Sequence, residues 1–299
     1  MKKKIERVQR KIIKEFDLVV SKRYNIDSIE SVCLILGPYR NLTTLTASIV
    51  FLHPHCQVLN HAGERILGDP RIDFLSNYSD KRFRNFIKYA IHISKGGKRG
   101  NYGGSITLSH AFQDRARMGK LLKSNDLELM KDKVKCLFWK ESQRVMNHIR
   151  CHQVDFDALF SNNDELLFFL PIRNPLDCAT SNSSSGFADF LPGVDSVSSV
   201  DDVLQAILDE YLWFISKKER YPNRFYYYFA HQDKKDTILE MADFLGLEPT
   251  QEWLELSIDT FRVTSKYQHG KEFISKYRNQ VNKQFKKFPD FQAGLMKFI

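Results

Sequence analysis

At 299 residues, 42% of them hydrophobic, the chain is long enough to bury a large core. Its 45 lysines and arginines against 36 aspartates and glutamates leave a net charge of +9, which favours an anionic partner: nucleic acid, a membrane surface, a polyanionic sugar or a phosphorylated small molecule. No stretch approaches the ~20 apolar residues of a membrane span, and five scattered cysteines without a CxxC pair argue against a disulfide framework.

The opening segment, "MKKKIERVQRKIIKEFDLVV", is charged and amphipathic and lacks the apolar core of a signal peptide, so a cytoplasmic setting is expected. A first apolar strand follows at 32–36, then a Gly37-Pro38 turn and a helix near 43–53. Strands are predicted again at 57–60, 134–139, 166–172 and 224–229. Helical patterns fill 81–95, 109–131, 143–160, 175–187, 198–218 and 234–245, and the tail at 276–291 reads as a basic helix packed on the body.

Strands separated by helix-length segments predict an α/β fold with a mostly parallel central sheet flanked by helices. The chain reads as one domain over 1–299, with a helix-rich, Gly-rich insertion at about 68–132. "SKGGKRGNYGGS" (94–105) and "SNSSSGFADFLPGVDSVSS" (181–199) have the composition of solvated loops or lids. In such sheets ligands bind beyond the carboxyl ends of the strands, here the segments after Leu36, Trp139 and Ile172.

Two of those segments have the makings of anion sites. "LILGPYRNLTTLTASIVFLHPH" (34–55) runs from strand through a glycine turn into a helix, so the amides of residues 41–44 can converge on an anion with the helix dipole behind them. Thr43 and Thr44 add hydroxyls, and Arg40 adds a planar guanidinium suited to oxyanions. The Gly-Lys-[Ser/Thr] of an ATP-binding P-loop is missing. "LLFFLPIRNPLDCATSNSSSGF" (166–187) places Arg173 just past a strand end and Ser181 eight residues later, two turns along the next helix.

Taken together, "GPYRNLTTLTASIVFLHP" resembles the 5′-phosphosulfate loop of the sulfotransferases, and "PIRNPLDCATSN" resembles their 3′-phosphate motif. The resemblance extends over about 32–275 and includes "RFYYYFAHQDKKDTILEMADFLGL" (224–247). It implies a P-loop-like sulfotransferase fold and 3′-phosphoadenosine 5′-phosphosulfate (PAPS) as co-substrate. Adenosine 3′,5′-bisphosphate would be the product, and no metal is needed. The nucleotide contacts it implies are Arg40, Asn41, Leu42, Thr43, Thr44, Arg173 and Ser181, with a looser match at Lys266, Gly270 and Lys271 in "FRVTSKYQHGKEF". Leu42 stands where the family has glycine and Asn41 where it has serine. The family's Tyr-Glu pair in the later strand is not kept.

Sulfuryl transfer asks for in-line placement, charge stabilisation and a base for the acceptor hydroxyl. Arg40 is the expected charge stabiliser, and the resemblance implies Lys140 as a second one beside the sulfuryl group. The base is expected in "QVLNHAGERIL": Glu64 first, because the resemblance places a catalytic glutamate there, or His61, whose ordinary pKa already suits neutral pH. The acceptor is expected to be a hydroxyl of a carbohydrate or small metabolite, and the surplus positive charge would also suit an acidic glycan. Two rivals are an ATP-dependent P-loop phosphotransferase and a non-catalytic anion- or nucleic-acid-binding protein on the same fold. The first predicts a loop lysine and a magnesium-binding aspartate, neither of which is evident. For the second, no nucleic-acid-binding signature is present. His148 and His152 have the spacing of a zinc pair but lack the metalloprotease glutamate and a third ligand, so a packing role is expected.

Overall fold

Near-continuous apolar runs such as "SVCLI", "CLFWK" and "LLFFLPI" have no polar face to offer water, so they form strands covered on both sides. The computed structural model describes residues 2–97, 103–113, 117–124 and 129–299. Its strands are β1 (Ser31–Ile35), β2 (Cys56–Asn60), β3 (Gly104–Ser105), β4 (Cys136–Lys140), β5 (Leu166–Ile172) and β6 (Phe225–Phe229). They form one sheet in the order β3-β2-β4-β1-β5-β6, parallel throughout except for β3, which runs antiparallel to β2.

Side-chain alternation along β1 divides the core. Val32 and Leu34 face a cluster with α4 (Asp80–Ser94), α6 (Gln143–Cys151), α8 (Pro175–Ser185), α9 (Val200–Arg220), α12 (Lys271–Gln284) and α13 (Pro289–Met296). Cys33 and Ile35 face a second cluster with α2 (Thr43–Leu52), α10 (Lys234–Phe244) and α11 (Gln251–Thr260). The remaining helices are α1 (Lys2–Ser21), α3 (Gly63–Ile66), α5 (Arg117–Ser124) and α7 (Phe156–Ser161).

The predicted α/β architecture is the one observed, and each predicted strand is found within two residues of its expected bounds. Two predicted helices are broken. The 109–131 stretch contains a 3₁₀ turn at His110–Phe112 and then α5, with 114–116 and 125–128 outside the described residues. The 143–160 stretch splits because Gln153 adopts φ 47° and Asp155 then caps a new helix, accepting from the amides of Asp157 and Ala158. The basic tail is two helices, α12 and α13. Residues 98–102 of the glycine-rich loop also lie outside the described residues.

Chain order β1–α2–β2 skips over β4, which is inserted between β1 and β2, while β5 lies on the other side of β1. The loops leaving β1 therefore open a crevice at the carboxyl edge, with the ends of β4 and β5 on either side. Register places Ile35, Lys140 and Asn60 abreast along that edge.

Candidate active site

The β1–α2 connection turns sharply at Gly37, whose φ of 96° and proximity to Leu170 exclude a side chain: a Cβ there would collide with Leu170 Cδ1. Arg40 and Leu42 follow in the left-handed region, at φ 61° and 60°. Non-glycine residues there cost about 1–2 kcal/mol each, and the conformation turns successive amides toward one concavity. Leu42 is the N-cap of α2 and makes no side-chain cap, so the first-turn amides of α2 are left for another acceptor. The glycine of the resembled motif suits this left-handed position; leucine occupies it under strain.

Asn41 holds the loop to the body. Its side chain is fully buried. The Nδ2 group donates to Pro171 O at 2.5 Å, and Oδ1 accepts from Arg173 N and from Tyr211 Oη, both at 3.1 Å. The amide side chain thus links the ends of β1 and β5 to α9.

These residues line a cavity of about 500 Å³ whose walls include Arg40, Asn41, Leu42, Thr43, Thr44, His61, Lys140 and Arg173. Arg40 and Arg173, 133 residues apart in sequence, share one cleft. Arg40 Nε donates to Ser181 Oγ at 2.9 Å, which brings buried Ser181 into the network from behind the wall. The Arg173 Nη1 donates to Arg40 O at 3.2 Å and its Nη2 to Asp177 Oδ2 at 3.1 Å. His269 Nε2 meets the other Asp177 oxygen at 2.8 Å.

Opposite the loop, the C-terminal ends of β2 and β4 supply a second group. Lys140 is buried at the end of β4, and its Nζ lies 3.3 Å from His61 Nε2. Burial lowers the Lys140 pKa from 10.5 to about 8, with the neighbouring Glu141 carboxylate acting in the opposite direction. An ammonium donating to Nε2 leaves the proton of neutral His61 on Nδ1. That nitrogen faces the buried Glu141 Oε1 at 3.9 Å, and Glu141 Oε2 accepts from Gly63 N at 2.8 Å. His61 and Ala62 are both left-handed, at φ 59° and 79°. The turn is pinned by Trp139 Nε1 donating to His61 O at 2.6 Å and by His61 N donating to Lys140 O at 2.8 Å.

The same turn carries Glu64 away. Among the described residues Glu64 is not part of the cavity wall. Its carboxylate faces Arg144 at 3.5 Å and Arg10 of α1 at 3.9 Å, beside a separate groove. Gly270 lines another groove with Ser183 and Ser184. Lys266 and Lys271 are exposed and line neither space. His148 Nε2 pairs with buried Asp73 at 2.9 Å.

Sequence reading missed Asn60, Ser109 and His110, which complete the wall beyond His61 and Lys140. Asn60 and Ser109 are buried, and Asn60 Oδ1 and Ser109 Oγ have no hydrogen-bond partner among the described residues. Tyr39, Phe187 and Phe190 form an aromatic rim, with ring centroids 5.3–5.4 Å from Tyr39 to the two phenylalanines. No short motif marks these residues, since they come from β2, the 68–132 insertion and the segment after α8.

No family model and no curated protein matches the chain. Among solved structures it is similar to the mouse sulfotransferase SULT7A1 complexed with PAP, with a TM-score of 0.46 and 10% identity over 95% of this chain and 93% of that one. It is similar as well to the sulfotransferase STF9 from Mycobacterium avium, with a TM-score of 0.43 and 12% identity over 89% of this chain and 77% of the other. At these values the likeness is one of overall architecture alone.

Proposed function

We propose that the chain is a PAPS-dependent sulfotransferase acting on a hydroxyl acceptor. The observation that carries the reading is the convergence of an uncapped helix N-terminus, two arginines and a buried lysine on one cavity. The α2 amides, Thr43 and Thr44 would hold the 5′-phosphosulfate. Arg173 and Ser181 would hold the 3′-phosphate, with Arg40 between the two ends. The residues looser in their sequence match, Lys266, Gly270 and Lys271, would contribute only if they turn toward the cavity that Arg40 and Arg173 share.

In the transfer the sulfur–oxygen bond to the nucleotide phosphate breaks as a new one forms to the acceptor oxygen. Charge growing on the leaving phosphate oxygen is met by Arg40 and the charged form of Lys140. As the Lys140 ammonium turns from His61 Nε2 to the leaving oxygen, the freed Nε2 lone pair would take the acceptor proton, and the Glu141 carboxylate facing Nδ1 would stabilise the resulting imidazolium. Of the two expected bases, His61 is therefore the one proposed, because it lies on the cavity wall. Asn60, Ser109 and His110 would form the acceptor side, so the 68–132 insertion contributes to it. The unpartnered oxygens of Asn60 and Ser109 suit a polar acceptor such as a carbohydrate or small metabolite.

The test is a thermal-shift titration with adenosine 3′,5′-bisphosphate, ATP and AMP, followed by transfer from labelled PAPS to an acceptor panel. Stabilisation by the bisphosphate is expected, and Arg173→Ala should weaken binding by roughly 10–100-fold, the value of one or two charge-assisted hydrogen bonds. A preference for ATP would overturn the assignment in favour of phosphoryl transfer. In the transfer assay, His61→Ala should lower kcat about 10²–10⁴-fold with bisphosphate affinity unchanged. Glu64→Gln should remain within a few-fold of the unsubstituted protein; the reverse ranking would return the base to Glu64.

A further inference from the structure

The N-terminal helix is fastened to the body by its polar side. Lys14 Nζ pairs with Asp69 at 2.6 Å, Asp17 accepts from buried Arg65 and faces His92 Nε2 at 3.1 Å, and Glu15 is bound by Arg71. Its apolar side is turned outward. Val8, Ile12, Phe16 and Val19 are 51%, 64%, 66% and 66% exposed, and Ile13 is 45% exposed. Spacings of four, four and three residues place the first four on one stripe. Five of the ten exposed large hydrophobic side chains among the described residues lie on this one helix.

Charge selects what covers the stripe. Residues 1–14 contain seven lysines and arginines against one glutamate, and Lys22 and Arg23 follow the helix end. The acidic residues of the C-terminal half, Glu15 and Asp17, are engaged by arginines of the body. A second copy of the same helix would set this basic half against an identical excess or against carboxylates already paired. An anionic lipid surface offers an apolar layer for the stripe and negative headgroups for its borders at once.

We propose that α1 is a membrane-surface helix that lays its outward stripe into the interface of an anionic bilayer. It does not span: among the described residues no helix is long and apolar enough to cross a membrane. The helix is attached to the 61–71 segment through Glu64, Arg65, Asp69 and Arg71, so binding would hold the body at the lipid surface without opening its core.

The experiment is vesicle flotation of the full chain with pure phosphatidylcholine and with an equimolar phosphatidylcholine–phosphatidylserine mixture. Flotation with the anionic vesicles is expected, falling as salt is raised, with partitioning to neutral vesicles on the order of tenfold weaker or less. The double variant Ile12→Glu/Phe16→Glu should lose more than about tenfold of the anionic-vesicle partitioning. Both side chains face solvent, so its melting temperature should stay within about 2 °C, as expected for exposed substitutions. Val197→Glu, at an apolar residue 87% exposed far along the chain, should float as the unsubstituted protein does. Absence of flotation would overturn the proposal, as would equal flotation of the double variant. A concentration-dependent dimer that this variant dissolves, without lipid binding, would assign the stripe to a second copy instead.

Discussion

Replacing Lys140 with methionine is expected to reduce the proposed sulfuryl transfer by about 10²–10³-fold while leaving bisphosphate binding nearly intact, because a fixed charge at a reacting centre acts mainly in the transition state. Lys140 is buried at the carboxyl end of β4 with its ammonium 3.3 Å from His61 Nε2. The same burial gives a pH signature. The unfolded chain holds this proton to about 10.5, whereas the folded protein releases it at about 8. Between those values the unfolded state binds more protons, so the Lys140 contribution makes stability rise with pH. Below pH 8 the buried ammonium is charged in both states and its desolvation is a constant cost. Activity should run the opposite way, falling as pH rises through 8 and the charge is lost. Lys140→Met should remove the Lys140 share of the stability slope, leaving that of Lys218, whose pKa burial also lowers, and should abolish the alkaline activity limb. Denaturant melts and rate–pH profiles over pH 7–10.5 would decide; a variant with transfer within a few-fold of the unsubstituted protein would remove Lys140 from the chemistry.

The largest stability loss is expected at a residue that sequence motifs placed against the nucleotide. Asn41→Ala removes three buried hydrogen bonds at once, to Pro171 O, Arg173 N and Tyr211 Oη. At about 1 kcal/mol net for each, with a further cost for partners left in a dry site, the loss should be about 2–4 kcal/mol. That corresponds to a melting temperature roughly 5–10 °C lower for a chain of this size. Asn41→Asp should also destabilise, because the carboxylate cannot donate to Pro171 O. Urea unfolding measures both, and a loss under about 1 kcal/mol for Asn41→Ala would mean that the loop is held some other way. The backbone amide of Asn41 remains available to an anion; its side chain is committed to the interior.

How the sequence and the fold divide the information is clearest at the turn after β2. His61 and Glu64 are three residues apart, and the sequence ranks Glu64 ahead of His61 as the base. Two left-handed residues, His61 and Ala62, reverse the chain so that the imidazole lines the cavity and the carboxylate joins Arg144 and Arg10 outside it. No propensity signals such a turn, since its strain is held by Trp139 and Lys140 hydrogen bonds from a strand nearly eighty residues away. The broken 109–131 helix has a similar origin: its amphipathic pattern was real, but Ser109 and His110 are drawn into short turns that complete the cavity.

The sequence alone determined the parallel sheet, because runs apolar on both faces can only be buried between two helical layers. It also located the two loops that meet at the cavity, because a glycine turn into a helix and an arginine past a strand end are local features with local causes. The tertiary structure alone decided which polar residues meet across the strand edge, which of the two candidate bases faces the cavity, and that α1 turns its apolar side to solvent. These depend on side chains distant in sequence and on ion pairs such as Lys14–Asp69, which amphipathic spacing does not encode.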